Sequence, residues 1–153
     1  MKLGLFAIML LLLLQIAEGT DMQLKKVSAT EILSKISNGQ PVDYDNAIII
    51  GNLLLGNLEE SEEVTTIESP IKISNSVFDG LVSFDNVIFE NITDFKGSHF
   101  KRPANFRYSY FNSSADFTES KFNDSSDFTK SIFKTHPSVP IPEKSKMVIY
   151  FGH

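Results

Sequence analysis

The most regular feature of the chain is a phenylalanine that recurs at alternating steps of six and five residues. The residue two positions before each phenylalanine is small or β-branched. Side chains two positions apart lie on one face of an extended strand, so the pattern predicts short strands that point both residues inward. The phenylalanines are Phe78, Phe84, Phe89, Phe95, Phe100, Phe106, Phe111, Phe117, Phe122, Phe128 and Phe133. The residues two positions before them are Ser76, Val82, Val87, Thr93, Ser98, Ala104, Ser109, Ala115, Ser120, Ser126 and Ser131.

The internal repeat of 11 residues favours a solenoid over a helical rod or a β-sandwich. In a helix, steps of five and six would place alternate phenylalanines on two separate stripes. The segment from Asn75 to Lys134 is also rich in Asn, Asp, Ser, Thr and Gly and contains Pro103, a composition that favours turns. The strands of a sandwich follow one another at irregular spacings of about 8–12 residues.

Four strand segments would close one coil of a square solenoid. Two steps of six and two of five make a coil of 22 residues, and successive coils would rise by about 4.8 Å, the spacing of paired strands. The predicted columns of stacked rings are Phe78–Phe100–Phe122, Phe84–Phe106–Phe128, Phe89–Phe111–Phe133 and Phe95–Phe117. Burying one phenylalanine contributes roughly 1.5–3 kcal/mol, so we expect the repeat to be the hydrophobic core.

Residues 1–19 are typical of a secretory signal peptide. Lys2 is followed by an apolar run from Leu3 to Leu14, and small residues close to Gly19 suit a signal peptidase. The run is shorter than the roughly 20 residues that cross a bilayer, which favours cleavage over the alternative of an uncleaved membrane anchor. We therefore expect a secreted or cell-surface protein, with a membrane contact only if the leader is retained.

A short helix is predicted in the N-terminal segment, residues 20–45. Ser28 and Glu31 have the spacing of a capping box, in which each side chain bonds the backbone amide of the other residue. An apolar stripe follows, and Gly39 supplies a left-handed stop, so the helix should run from Ala29 to Ser37. A helix this short is marginal alone, and we expect it to cap the solenoid.

The repeat resembles the pentapeptide-repeat family, whose units place Ala, then Asp or Asn, then Leu or Phe in a right-handed quadrilateral β-helix. The matches are closest at Ala104-Asn105-Phe106 and Ala115-Asp116-Phe117. The family's Asp/Asn position is occupied, before every second phenylalanine, by Ser83, Asp94, Asn105, Asp116 and Asp127. The intervening repeats depart from it and carry Ile88, His99, Tyr110, Lys121 and Ile132. The resemblance implies an all-β solenoid over residues 46–133.

Ile48, Leu53 and Leu58, at steps of five, look like a first coil in the purer register of that family. The order of leader, helix, first coil and Phe repeats is similar to exported pentapeptide-repeat proteins of methanogenic archaea. Beyond the repeats, residues 134–153 contain three prolines and should leave the stack as a Pro-rich tail. Solenoids need capped ends. The apolar run from Met147 to Phe151 could cover the last coil, or two copies could pair end to end as a homodimer.

Composition narrows the chemistry that the chain can perform. Its 153 residues include no cysteine and three histidines, and its net charge is −5. The lack of cysteine excludes disulfides, thiol nucleophiles and cysteine-ligated metals, and His99, His136 and His153 show no ligand spacing. We therefore expect no enzyme activity, no metal and no cofactor. The negative charge also opposes a basic face for nucleic acid.

Several polar groups are candidates for binding but have simpler explanations. The Asp/Asn residues before the phenylalanines should accept hydrogen bonds from backbone amides at turns. The acidic stretch Glu59-Glu60-Ser61-Glu62-Glu63, part of an acidic loop over 59–69, is interpreted as solvated; calcium binding is the alternative, but no EF-hand or RTX glycine pattern accompanies it. The basic and aromatic residues Lys101, Arg102, Arg107, Tyr108 and Tyr110 are interpreted as a solvated wall rather than a nucleic-acid site.

Three sequons begin at Asn91, Asn112 and Asn123. We expect Asn112 and Asn123 to lie exposed at corners, where glycosylation could reach them. Asn91 should be the least accessible, because Thr93 in the same sequon is predicted to point inward.

The function predicted is that of a non-enzymatic, exported solenoid, structural or protein-binding, with an unidentified protein partner at the cell surface. A DNA-mimicking inhibitor of topoisomerase, a role that the family resemblance also suggests, would need a strongly negative rod. The repeat from Ile71 to Lys134 instead carries eight acidic and eight basic residues, and the leader directs the chain away from chromosomes. A polysaccharide lyase on a β-helix would be larger, with charged side chains that converge in a groove.

Overall fold

The computed structural model describes residues 24–56, 64–135 and 149–151, which form a four-sided stack of short parallel strands with one helix near its start. The elements are, in order, β1 (Lys25–Ser28), α1 (Ala29–Ser37), β2 (Val42–Asp45), β3 (Ala47–Ile50), β4 (Leu53–Leu55), β5 (Thr65–Ile67), β6 (Ile71–Ser74), β7 (Val77–Phe78), β8 (Val82–Phe84), β9 (Val87–Phe89), β10 (Thr93–Asp94), β11 (His99–Phe100), β12 (Ala104–Asn105), β13 (Tyr110–Phe111), β14 (Ala115–Asp116), β15 (Lys121–Phe122), β16 (Ser126–Asp127), β17 (Ser131–Phe133) and β18 (Ile149–Phe151).

The strands form four parallel sheets, one on each side of the stack. Face I contains β1, β3, β7, β11 and β15, and face II contains β4, β8, β12 and β16. Face III contains β5, β9, β13, β17 and β18, and face IV contains β2, β6, β10 and β14. The chain visits the faces in the order I, II, III, IV in every complete coil. The predicted four-sided all-β solenoid is therefore confirmed.

Strand partners are 22 residues apart through most of the stack, so Phe100 pairs with Phe78 on one side and Phe122 on the other. The separation grows to 29 residues between β4 and β8. The additional residues fall between β4 and β5, where residues 57–63 lie outside the described part of the chain. The insertion does not disturb the register, because the strands before and after it still pair in parallel.

The phenylalanine rings lie in the predicted columns, stacked in three of them and tilted by 33° between Phe95 and Phe117 in the fourth. The rings of Phe78 and Phe100 are 4.6 Å apart with an interplanar angle of 2°, and rings of adjacent faces meet edge to face, as Phe84 and Phe89 do at 5.3 Å and 66°. Ten of the eleven side chains are at most 1% exposed, and Phe122, in the last strand of face I, is half-buried. The rings thus contact one another both along and across the stack, and each favourable pair adds about 0.5–1.5 kcal/mol to the burial itself.

Buried serines connect successive coils where the small inward residue stands. Four of them donate their hydroxyls to a carbonyl oxygen 25 residues earlier, at the corner of the preceding coil, whereas Ser76 donates to the nearby Ser74 carbonyl oxygen. The pairs are Ser98 to Ile73 (2.7 Å), Ser109 to Phe84 (2.6 Å), Ser120 to Phe95 (2.8 Å) and Ser131 to Phe106 (2.6 Å). A serine therefore suits this position both because it is small and because it satisfies a backbone acceptor that water cannot reach.

The alternation of six and five residues comes from two kinds of corner. The short corners follow faces II and IV, and each holds a residue in the left-handed region two positions after the inward aromatic or aliphatic residue. These residues are Asn46, Asn75, Asn86, Gly97, Tyr108, Glu119 and Lys130, with φ between 47° and 65°. In each of the corners with Gly97, Tyr108, Glu119 and Lys130, the amide of the following serine bonds back to the phenylalanine carbonyl, as Ser98 does to Phe95 at 3.0 Å. This tight turn uses one residue fewer than the corners after faces I and III.

The first coil contains α1 in place of two strands. β1 pairs with β3 on face I, and β2 pairs with β6 on face IV. Between them, α1 packs against β4, the first strand of face II, and buries Ala29 and Ile32. The paired strands therefore extend to the N-terminal side of the boundary predicted at residue 46.

The predicted bounds of α1 are confirmed, but the predicted capping box is wrong. The Ser28 hydroxyl oxygen accepts a hydrogen bond from the Thr30 amide at 3.2 Å, and Glu31 accepts one from the Tyr44 hydroxyl at 2.5 Å. This bond attaches the helix to β2. Burial of the ring, and then the bond to Glu31, raise the pKa of Tyr44 above its ordinary value. Gly39, at φ 64°, ends the helix as expected.

The first coil is shifted by one residue from the predicted register. Ile49 rather than Ile48 is buried and aligns with Phe78, because Ala47 and Ile49 share the inward side of β3. Leu53 aligns with Val82, the small inward position of face II, and not with a phenylalanine. Leu58 lies outside the described residues.

Two predicted loops also differ from the structure. Within the acidic loop predicted over 59–69, Thr65–Ile67 forms β5 and pairs with β9 on face III. Within the predicted tail, Ile149–Phe151 forms β18 and pairs with β17 on the same face. In both places the strand forms because its backbone pairs with a neighbouring coil. Local sequence patterns do not indicate such pairing. The leader, Glu59 to Glu63 and residues 136–148 lie outside the described residues.

Candidate interaction surface

Charged side chains at the corners pair along the stack, across a separation of one coil. Lys101 Nζ lies 3.0 Å from Asp79 Oδ1, and the Arg107 guanidinium lies 3.4 Å from Asp85. The hydrogen bond to Asp85 raises the pKa of Arg107. Exposed pairs of this kind contribute about 0–1 kcal/mol each. Each pair neutralises two opposite charges at its own corner of the stack.

The structure separates the predicted basic–aromatic cluster into three places. Lys101 and Arg102 lie at the corner between faces I and II, whereas Tyr110 lies on face III. Arg107 and Tyr108 lie at the corner between faces II and III, where the Tyr108 ring is 47% exposed. The Arg107 guanidinium is 5.6 Å from the centre of that ring, and Lys130 Nζ, one coil further on, is 4.9 Å from it. The residues therefore form no continuous basic patch.

An open groove of about 520 Å³ runs along the corner between faces I and II. Gly80 brings two coils close together there, because a Cβ at this position would sit 2.2 Å from the Gly51 carbonyl oxygen. Leu81, 41% exposed, forms part of the wall. The lining residues are Asn52, Asp79, Gly80, Leu81, Arg102, Pro103 and Asp124. A groove with this mixed lining can accept an extended polypeptide or a polar side chain.

The outward side of face III is apolar over three successive coils, whereas Thr66, at the equivalent position on β5, is polar and exposed. Ile88, Tyr110 and Ile132 occupy equivalent outward positions on β9, β13 and β17 and are half-buried. A second column follows the edge of the face: Lys134 Nζ donates to Asn112 Oδ1 at 2.9 Å, and Asn112 Nδ2 donates to Glu90 Oε2 at 2.5 Å.

The Asp/Asn column acts in the turns, as predicted. In each case a side-chain oxygen accepts a hydrogen bond from the backbone amide two residues further on. The bonds are Asp94 to Lys96 (2.8 Å), Asn105 to Arg107 (2.9 Å), Asp116 to Thr118 (2.7 Å) and Asp127 to Thr129 (2.9 Å). These oxygens stabilise the short corners after faces II and IV.

Asp45 lies at the N-terminal end of the corner between faces IV and I. It accepts hydrogen bonds from Asn75 Nδ2 (2.8 Å), Ser74 Oγ (3.0 Å) and Asn46 Nδ2 (2.6 Å). The bond from Asn75, followed by that from Ser74, lowers the pKa of the Asp45 carboxyl. Sequence reasoning missed this cluster, because Ser74 and Asn75 are about one coil away along the chain.

The sequons differ from the expected order of accessibility. Asn91 is exposed, and its Oδ1 accepts a hydrogen bond from the neighbouring Ile92 amide at 3.0 Å. Asn112 is half-buried between Glu90 and Lys134, which hold both ends of its amide. Asn123 is exposed. Thr93 is buried, in line with its predicted orientation. Use of any of these sites stays a prediction.

The described residues contain no cluster of three or more His, Asp or Glu side chains arranged to hold a metal ion. His99 is half-buried, and its Nε2 lies 2.7 Å from Asn123 Oδ1 on the next coil. His136 and His153 fall outside the described part. Among the helices of the described segments, none has the length and hydropathy of a membrane span.

The fold is that of a β-solenoid whose inward positions build the core and whose outward positions form walls and corners. Residues 73–120 match the family model described as pentapeptide repeats (9 copies). The match covers less than half of the chain and supports the resemblance over these residues, while the paired strands continue beyond it on both sides. Neither the curated proteins nor the solved structures gave a match.

Proposed function

We propose that the protein is a non-enzymatic structural or protein-binding module that is exported and works at the cell surface through the outside of its solenoid. The observation that carries this proposal is the filled interior. Phenylalanine rings from different sides of the solenoid contact one another edge to face across the interior, which makes the walls and corners the surfaces that a partner can contact. The signal-like residues 1–19 support export.

A protein partner is favoured over nucleic acid by the charges on the corners. Lys101 and Arg107 already face Asp79 and Asp85, whereas a nucleic-acid surface would present unpaired cations in a continuous stripe. The open groove beside Leu81 and the apolar outside of face III are the surfaces best suited to protein contacts.

Export is tested by expressing the whole chain with a C-terminal epitope tag. The matched control replaces Leu10 and Leu11, in the apolar run of the leader, with arginine. We expect protease added to intact cells to digest the tagged chain and to spare the arginine variant. Protection of both chains would contradict the proposed location.

Partner binding is tested in the same cells with a photo-cross-linking residue at one outward position on each face. Suitable positions are Lys121 on face I, Leu54 on face II, Tyr110 on face III and Lys72 on face IV. A structural or binding module should give a protein adduct from some faces and not from others. Absence of adducts from all four positions would contradict a protein-binding role.

A further inference from the structure

Face III differs from the neighbouring face IV in the residues that its strands point outward. Ile88, Tyr110 and Ile132 are paired in register across three successive coils. The equivalent positions on face IV are charged: Asp43, Lys72, Asp94 and Asp116. An apolar column on an outer wall is a surface that protein contacts commonly cover.

The edge of face III carries a graded column of charge beside this apolar one. Glu90, Asn112 and Lys134 each directly follow the phenylalanine of their strand. They are joined by hydrogen bonds from Lys134 to Asn112 and from Asn112 to Glu90. The column is therefore acidic toward the N-terminal end of the stack, neutral at the level of Tyr110, and basic toward the C-terminal end.

Over the three coils that contain β9, β13 and β17, both columns are self-complementary about the middle coil. Read in reverse, the apolar column is again Ile, Tyr, Ile, and the charged column exchanges its acidic and basic ends. A twofold axis at the level of Tyr110, directed along the strands, would place this residue opposite its equivalent in a second copy. Ile88 would then face Ile132, and Glu90 would face Lys134. A closed pair of identical surfaces requires this kind of symmetry.

We propose that face III is a self-association surface, on which two copies of the chain pack wall to wall with their stacks antiparallel. The apolar column supplies buried area, and the charged column sets the direction and register of the pair. With parallel stacks, Lys134 would instead meet the opposite edge of face III, where Lys130 precedes β17. Like charges would then face each other.

The size of the face makes this pairing weak. Five strands at a spacing of about 4.8 Å span roughly 20–25 Å, and the strands of face III have two or three residues. The buried area per copy is therefore below the roughly 800 Å² of a standard stable interface. We expect an equilibrium between monomer and dimer that depends on concentration.

Charge reversal tests the proposed contact. Sedimentation equilibrium of the protein should show self-association that Glu90→Lys or Lys134→Glu weakens about tenfold or more, because each change creates two repulsive contacts across the twofold axis. The double variant E90K/K134E restores the complementary order and should restore association. Asp79→Lys and Lys101→Glu, at a corner away from face III, are matched controls that should leave association unchanged. A monomer at every concentration, or a double variant that stays as weak as the single ones, would overturn the proposal.

The chain has no cysteine, so single thiols can map the register. Facing sheets lie about 10 Å apart, too far for a disulfide but within reach of a short bismaleimide. Tyr110→Cys should cross-link to itself, whereas Ile88→Cys should cross-link only when mixed with Ile132→Cys. Self-linking of Ile88→Cys would overturn the antiparallel arrangement. A dimer that none of these thiols links would point to end-to-end pairing and would also overturn it.

Discussion

Ser109 donates its hydroxyl to the carbonyl oxygen of Phe84, which lies 2.6 Å away at a corner of the preceding coil. Ser109 is fully buried, so water cannot replace this bond. The same contact recurs at Ser98, Ser120 and Ser131. It explains why the small inward position is so often a serine on faces I and III, which follow the short corners.

Ser109→Ala should therefore destabilise the protein, although alanine occurs at the equivalent position on other faces. The change leaves the Phe84 carbonyl oxygen buried without its donor, which costs about 1–3 kcal/mol. Thermal or urea unfolding followed by circular dichroism measures the loss. The control is Ser114→Ala, an exposed serine, which should change stability by less than about 0.5 kcal/mol. Equal effects of the two changes would contradict a structural role for the buried hydroxyl.

Replacing a phenylalanine in the middle of the stack should lower the free energy of unfolding more than replacing the one at its end. Phe106 is 0% exposed and contacts rings on both neighbouring coils, at 5.6 Å (Phe84) and 4.8 Å (Phe128). Phe122 is half-buried, and among the described strands no coil follows it on face I. Phe106→Ala should cost about 3–5 kcal/mol, and Phe122→Ala clearly less. Urea unfolding of the two variants tests this order, and a larger loss at Phe122 would contradict it.

The core of this fold was predictable because its steric requirement is repeated. Every coil needs a large residue and a small one on the same inward side, so phenylalanine spacing alone predicts four faces and the order of the rings. Where phenylalanine is absent, as at Ile48 and Ile49, the register was missed by one residue. The capping box failed for a different reason, since Tyr44 competes for Glu31 and no local motif includes a residue that distant.

The outer surface was harder to predict than the core. The period constrains inward residues, whereas outward residues such as Ile88 and Tyr110 differ from coil to coil and carry no spacing signal. The charged columns do carry a spacing signal: Asp79 and Lys101, or Asp85 and Arg107, are 22 residues apart. This separation is the length of one coil, so the two residues of each pair occupy equivalent positions on adjacent coils.

The left-handed corner residues predict a stabilising substitution. Glu119 has φ 60° and is exposed, and a residue with a Cβ costs about 1 kcal/mol or more in this region. Glycine adopts it without that strain, and the chain already uses Gly97 at the equivalent position one coil earlier. Glu119→Gly should therefore raise stability by about 0.5–1 kcal/mol, measured as a higher midpoint of thermal unfolding. A lower midpoint would mean that the flexibility of glycine in the unfolded chain outweighs the relief of strain.

The Asp45 cluster should make the N-terminal end of the stack sensitive to acid. Hydrogen bonds lower the pKa of Asp45 below its value in the unfolded chain, so their stabilisation is present above the unfolded pKa of about 3.9 and is lost as the pH falls through the folded pKa. Asp45→Asn removes this titration. Between about pH 6 and pH 2, the natural protein should lose more stability than the variant, in paired urea titrations. Parallel losses would show that Asp45 does not contribute to acid sensitivity.

Gly97 controls the same cluster from the next coil. A Cβ at Gly97 would lie 2.4 Å from Asn75 Oδ1, so Gly97→Ala must turn the Asn75 amide away from its contact with Asp45. The pKa of Asp45 should then rise toward its ordinary value, which a carbon-detected NMR titration of the carboxyl measures. Asn75→Ala is the matched control, because it removes the same hydrogen bond without a clash and should raise the pKa in the same direction. If Gly97→Ala lowers stability while the Asp45 pKa stays depressed, the glycine is required only for its left-handed backbone, and the proposed coupling between the two coils is wrong.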